Sequence, residues 1–245
     1  MEKRRTKWIG YLDLIDSFKL PGCPLCNRIK ELSWGFLDSL FYEYVNDVGT
    51  RVKLIRAKGF CSWHAWMSTE IRNSDSGITI IYNHLLDIEI ADLSKWAKAR
   101  GYEGVRRKLK LRKNRGPLLS SWREKASCPV CINVKDHERW DGGMLLDFID
   151  EKEFYQEFEK SSGICINHLI YIIQTFEKHP NLLLLVETQL KKYQTLSEEL
   201  GELDRKRDYR FSNEPKGLEV DSWKRVIKQF TGEREIFGNE IDRRK

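Results

Sequence analysis

Read for the spacing of its apolar and polar positions, the chain predicts helices throughout. After Cys26, apolar residues fall at Ile29, Leu32, Phe36, Leu40 and Tyr44, intervals that line up on one side of a helix. Asn46-Asp47 reads as the stop of that helix and the cap of a return helix over Val52–Ala57, which Gly59 ends. A further helix starts at Cys61 and runs to about Arg72. The polar stretch Asn73–Gly77 turns the chain, and Ile78–Ala99 forms a longer helix. A second series follows: a helix from Cys131 interrupted at Gly142-Gly143, a return helix over Glu151–Lys160, and a helix from His168 to Lys178. A break at His179-Pro180-Asn181 leads into a helix over Leu182–Arg205. Residues 1–19 predict an amphipathic helix with Trp8, Ile9, Leu12, Ile15 and Phe18 on one face. Leu218–Thr231 predicts a last helix with Val220, Trp223, Val226, Ile227 and Phe230 on one side, to be docked on the body or on another subunit, the body being favoured because exposed Trp and Phe are a liability in a monomer. Gly238–Lys245 reads as a loose tail.

The two series are one pattern written twice. Cys23-Pro24-Leu25-Cys26 recurs as Cys128-Pro129-Val130-Cys131, an offset of 105, and Gly59-Phe60-Cys61-Ser62-Trp63-His64 recurs as Gly163-Ile164-Cys165-Ile166-Asn167-His168, an offset of 104. The spacing within each half is thus kept to one residue. All 6 cysteines are consumed, three per half. The predicted fold is all-α: two pseudo-repeated helical halves at residues 1–100 and 119–206, a linker at 101–118, and an irregular segment with a C-terminal helix and tail at 207–245.

The repeated residues have the chemistry of a metal site. In each motif the two ligand-type residues are three apart, one helical turn, so both side chains face one point. Pro24 and Pro129 suit a first helical position, where the missing N–H has no partner to lose. The positive end of a helix favours thiolate over thiol. A helical hairpin closing on itself would gather Cys23, Cys26, Cys61 and His64 into one site, and Cys128, Cys131, Cys165 and His168 into the other. Three thiolates and an imidazole make a closed tetrahedral set, the usual surroundings of structural Zn²⁺. Two zinc ions are therefore expected. Iron–sulfur clusters are the alternative, disfavoured because most use four cysteines. His84, His137 and His179 stand outside the pattern and read as ordinary surface or core histidines.

Composition narrows the reading. Charged residues make up 33% and Gly and Pro are sparse, which suits helices. No apolar run reaches the roughly 18–20 residues of a membrane span. The basic start Met1-Glu2-Lys3-Arg4-Arg5 leads into no signal-like apolar stretch, so a cytoplasmic protein is expected, where cysteine pairs hold metal more often than disulfides. The net charge of +6 is exceeded by one segment: Lys95–Arg115 carries ten Lys and Arg against Glu103 alone. Within it Arg106, Arg107, Lys108, Lys110, Arg112 and Lys113 are candidate contacts for phosphate or for an acidic protein, against the plainer reading of a solvated linker.

Tyr42-Glu43-Tyr44-Val45-Asn46-Asp47, Gly59-Phe60-Cys61-Ser62-Trp63-His64, Asp208-Tyr209-Arg210-Phe211 and Asp221-Ser222-Trp223 together resemble an uncharacterised prokaryotic family with duplicated C-P-x-C and G-[FI]-C-x-x-H metal-site motifs. The resemblance implies a helical metal-site protein and lends the chain no particular activity. The second half departs from it: Asp150-Glu151 replaces Asn-Asp, and Ile164 replaces Phe. Three function classes compete. The first is a zinc-stapled interaction or regulatory protein and the second a redox protein or sensor using the same ligands. The third, a hydrolytic metalloenzyme, needs an open coordination position that four protein ligands per site would deny.

Overall fold

The computed structural model describes residues 9–101, 117–211 and 213–237. Among the described residues eleven α-helices occur and no strand: α1 (Ile9–Phe18), α2 (Pro24–Ser39), α3 (Val48–Ala57), α4 (Ser62–Ser68), α5 (Asp75–Gly101), α6 (Pro117–Arg123), α7 (Pro129–Phe148), α8 (Lys152–Lys160), α9 (Ile166–Thr175), α10 (Leu182–Arg205) and α11 (Ser222–Thr231). The expected all-α class is thus borne out. The basic segment with Arg106, Arg107, Lys108, Lys110, Arg112 and Lys113 lies outside the described residues, as do Trp8 and the tail from Gly238.

The chain divides into two compact units, Met1–Leu32 with Val134–Lys245, and Ser33–Asn133. This partition differs from the repeat: the second unit is nested within the sequence of the first, and both crossings fall inside a long helix, α2 or α7.

The first unit is built on an aromatic core. Tyr11 packs edge-on against Phe148 at 5.1 Å, and Phe18 edge-on against Phe154 at 5.1 Å and Phe158 at 5.5 Å. The buried face of α1 is therefore Tyr11, Leu14 and Phe18, whereas Leu12, expected inside, is 63% exposed. Arg28 is buried among three carboxylates, Asp13 at 3.0 Å, Glu31 at 2.6 Å and Asp141 at 3.4 Å, tying α1, α2 and α7. The expected break at Gly142-Gly143 is absent, and α7 runs through it. Gly142 instead lets two helices approach: a Cβ there would lie 3.4 Å from the Ile172 side chain on α9.

In α11 the polar side is turned inward. Ser222 and Gln229 are buried, and Gln229 donates to the Ser162 carbonyl at 2.8 Å, while Trp223, Ile227 and Phe230 face outward. This corrects the expected docking. The helix does pack on α9 and α10, but through Ser222, Gln229 and an Arg225–Glu199 ion pair at 2.6 Å rather than through its aromatic stripe.

The second unit surrounds Leu37, Leu40, Leu54, Phe60, Trp63, Met67, Ile81 and Leu85. A π-helical turn, Leu40–Tyr44, continues α2. Asp47 then caps α3, its carboxylate accepting from the Thr50 amide at 2.6 Å. α3 ends on Lys58 at φ 57°, and Gly59 follows at φ 94° with its N–H on the Leu54 carbonyl. Gly163, at φ 74°, holds the same place before Cys165. The repeated glycine is thus the residue that lets the chain turn left-handed into its cysteine.

Candidate metal centres

All four motif-opening cysteines occupy the same structural position. Cys61 and Cys165 are N-cap residues with extended backbones (ψ 167° and 160°). The carbonyls of Cys23, Cys61, Cys128 and Cys165 each accept the first helical bond, from Asn27, Ala65, Ile132 and Leu169 at 2.8–3.0 Å. The second residue of each motif, Cys26, His64, Cys131 or His168, lies one turn along its helix. Each motif therefore aims two side chains at a point in front of a helix N-terminus, where the helix is positive.

Two motifs meet at each point, but they are not the two motifs of one half. Cys23 and Cys26 meet Cys165 and His168, and Cys61 and His64 meet Cys128 and Cys131. By their place in the sequence the first set is the outer centre and the second the inner. This overturns the expected hairpin closure of Cys23, Cys26, Cys61 and His64, and of Cys128, Cys131, Cys165 and His168. The reason is length. From Pro24 to Tyr44 the chain climbs about 30 Å at 1.5 Å per residue, whereas the ten residues of α3 descend about 15 Å. The return leg therefore brings His64 only midway along α2, to Ser33, whose hydroxyl lies 3.0 Å from His64 Nε2. In the second half the nine-residue α8 returns only midway along the twenty-residue α7, and His168 Nε2 lies 3.2 Å from the Glu138 carboxylate. Ser33 and Glu138 are themselves related by the offset of 105, and each stands seven residues after the second cysteine of its half. Each half thus closes on its own helix two turns beyond its CPxC pair, leaving that pair for the other half's CxxH. Local bonds fix the approaches: Gly22 N–H donates to Ser162 Oγ at 3.1 Å beside the outer centre, and Ala126 N–H to the Arg56 carbonyl at 2.9 Å beside the inner.

The ligand atoms in each set lie within 4.8 Å of one another. In the outer centre the Cys26 and Cys165 sulfurs are 3.8 Å apart, and His168 Nδ1 lies 3.3, 3.5 and 3.2 Å from Cys23, Cys26 and Cys165. In the inner centre the Cys61 and Cys131 sulfurs are 3.6 Å apart, and His64 Nδ1 lies 3.1, 3.6 and 3.4 Å from Cys61, Cys128 and Cys131. A tetrahedral zinc with bonds of about 2.3 Å to sulfur and about 2.0 Å to nitrogen has edges of about 3.8 Å and about 3.5 Å. The residues present therefore fit one ion per centre, and the sulfurs are far from the roughly 2.05 Å of a disulfide.

The charges point the same way. Hydrogen bonds from Cys131 and Cys61 hold the Cys128 thiol down to about 3, whereas Cys131, bonded to those same neighbours, is driven far up. At Cys23 burial opposes ionisation, but hydrogen bonds from Cys165 and Cys26 outweigh it and leave the thiol well below its ordinary range. Burial likewise opposes the imidazolium of His168, and the Cys23 thiolate beside it raises the group all the same. Three sulfurs at such spacing cannot all carry charge unaided, and a divalent cation between them removes that constraint. With Nδ1 turned to the sulfurs, His64 donates from Nε2 to Ser33, which fixes its ring. Glu138 is close enough to His168 Nε2 for charge pairing but lies off the line of a hydrogen bond.

The family profile that matches this sequence, DUF6062, is described as a family of unknown function and covers residues 8–236. The chain belongs to that family. No curated protein and no solved structure matches it.

The remaining histidines take ordinary places in this family member. His84 is exposed beside Arg51, His137 is exposed, and His179 Nε2 pairs with Asp147 at 3.1 Å. Among the described residues no helix is long and apolar enough to cross a membrane.

Proposed function

We propose that the chain is a zinc-stapled helical protein of interaction or regulation, with one Zn²⁺ held by Cys23, Cys26, Cys165 and His168 and a second by Cys61, His64, Cys128 and Cys131. The carrying observation is the match of both ligand sets to the edges of a zinc tetrahedron, with protein side chains at all four corners. A closed set leaves no position for substrate, so the ions serve the fold. Each staples helix N-termini from opposite ends of the sequence. An iron–sulfur cluster on the same ligands is the alternative, but it would hold its ligands further apart than 4.8 Å, because several iron and sulfide atoms must fit between them. Thiols kept free at such short range suit a reducing, cytoplasmic setting. The excess of Lys and Arg between Lys95 and Arg115 supports contact with nucleic acid or an acidic protein.

The deciding experiment is elemental analysis with a visible spectrum on chain purified without oxygen. Two zinc ions per chain and no colour are expected. Iron with acid-labile sulfide and a brown chromophore overturns the zinc reading. Neutralising Arg106, Arg107, Lys108, Lys110, Arg112 and Lys113 together is expected to abolish salt-sensitive retention on nucleic acid or on an acidic polymer, and unchanged retention removes that role from the segment.

A further inference from the structure

The outer centre is sealed and the inner one is not. Cys23, Cys26, Cys165 and His168 are all buried, at 2% exposure or less. The seal is the segment after α11. Gly232 turns there at φ 75°, so close that a Cβ would lie 3.3 Å from Cys26 Sγ and 2.5 Å from the Phe237 ring. The Glu233 N–H donates to Cys26 Sγ at 3.4 Å, and Lys228 holds Glu233 by an ion pair at 2.9 Å. The Phe237 ring covers the His168 imidazole edge-on at 5.2 Å, and Ile236 and Phe237 pack on the core of the unit. In the inner centre His64 and Cys128 are buried, but Cys61 and Cys131 are partly exposed. These two sulfurs are also neighbours, 3.6 Å apart.

Resting on the zinc reading above, we propose that Cys61 and Cys131 form an oxidant-sensitive pair at which a hydroperoxide expels the inner ion while the outer ion stays. Exposure decides which thiolates a small oxidant reaches. One of the two sulfurs attacks a peroxide oxygen. The O–O bond breaks, the departing oxygen takes a proton and leaves as water from hydrogen peroxide or as an alcohol from an organic hydroperoxide, and a sulfenic acid remains. The other sulfur then attacks the sulfenic sulfur, the S–O bond breaks, and that oxygen leaves as water with a second proton. Two thiolates have given two electrons to one peroxide, and a Cys61–Cys131 disulfide has formed. The sulfurs need to close by about 1.5 Å for that bond. The ion keeps only Cys128 and His64 and dissociates.

The test treats the full chain, with its metal content measured first, with limiting hydrogen peroxide, and follows zinc with a chromogenic chelator. One ion per chain is expected to leave early. Peptide mapping after alkylation under denaturing conditions should find Cys61 joined to Cys131, with Cys23, Cys26 and Cys165 alkylated. Phe237→Ala, which removes the cover without touching a ligand, should speed loss of the second ion by about tenfold and leave the first unchanged. A zinc-replete chain that releases both ions together, that releases none, or that first oxidises the outer cysteines overturns this proposal alone. An unchanged second phase in Phe237→Ala overturns the sealing role. Chain purified without zinc overturns the metal reading, and this proposal with it.

Discussion

The inner and outer centres present the same four side chains from the same helical positions, and they differ in what surrounds them. Around the outer centre, Gly232–Phe237 covers a sulfur and a ring. The inner centre has the Ser33 hydroxyl on its imidazole, the Trp63 ring 4.4 Å from that same imidazole, and two sulfurs partly open to solvent. The duplicated motif therefore specifies a coordination set, while the non-repeated parts of the chain specify how reachable that set is. On the zinc reading, a closed set on helix ends would contribute folding energy in either place, and the sequence outside the repeat sets how exposed its sulfurs are.

The largest effect should come from breaking the centres separately. Cys61→Ser is expected to cost one zinc ion and on the order of 10 kcal/mol of metal-linked stability. The informative readout is which other thiols lose protection from alkylation. Cys128 and Cys131 should, while Cys23, Cys26 and Cys165 should not. Loss of protection at Cys23 and Cys26 would mean the hairpin pairing after all. His168→Ala is the converse, exposing Cys23, Cys26 and Cys165.

A smaller change tests the buried ion pairs of the unit that holds the outer centre. Arg28→Met strands the Asp141 carboxylate in the interior and is expected to cost about 3–5 kcal/mol in a denaturant titration, with the inner zinc retained. Smaller again is the acid response of Asp141. Burial pushes its carboxyl up to about 6, against the pull of Arg28. Between that value and the ordinary carboxylate range the folded state binds a proton that the unfolded chain does not, so this group adds stability as the pH falls from about 6 towards 4. The gain is on the order of 3 kcal/mol at most. Asp141→Asn should lack it, so the variant's stability relative to the parent should fall across that window. A constant difference would mean that Asp141 titrates normally.

The smallest effect compares the two repeated glycines. Alanine at either meets a positive φ, a cost of about 1–2 kcal/mol. At Gly163 the added Cβ also meets Gln189 Oε1 at 2.5 Å and Lys192 Cδ at 2.6 Å, whereas at Gly59 its nearest neighbours, Leu85 and Tyr82, stand at 3.4 Å. Gly163→Ala should therefore lower the melting temperature more than Gly59→Ala. Equal effects would mean that Gln189 and Lys192 yield freely.

Much of this was legible in the residues themselves. The CPxC and CxxH spacings located the helix starts, because a cap residue and the residue one turn on must face the same way. The periodicity predicts helix α10 to its observed ends, and the sequence places Asp47 in its capping role. The pairing departs from what the motif order predicts, although the lengths of the helices carry its signal. A return leg of ten residues cannot span an outward leg twice as long, and that arithmetic forbids the hairpin site. Gly142 misled because glycine marks both a break and a close helix crossing, and only the position of Ile172 tells which. Arg28, Ser33 and Phe237 carried no sequence signal of their own. Each matters through a neighbour more than 30 residues away.

The crossed pairing has a consequence for how the chain is made. Its ligands are nested like brackets: Cys23 and Cys26 open first and wait for Cys165 and His168, while the inner set begins at Cys61 and completes at Cys131. During vectorial synthesis Cys61 and His64 arrive when Cys23 and Cys26 are the only other thiols made, and those four residues already form a complete but wrong Cys3His set. A scavenging zinc ion could close it prematurely. In the folded chain the ten residues of α3 bring His64 to Ser33, seven residues past Cys26 in the sequence, so this early set is not the one that is gathered. On the zinc reading proposed above, the mismatch of helix lengths would disfavour that early set while the chain is still being made.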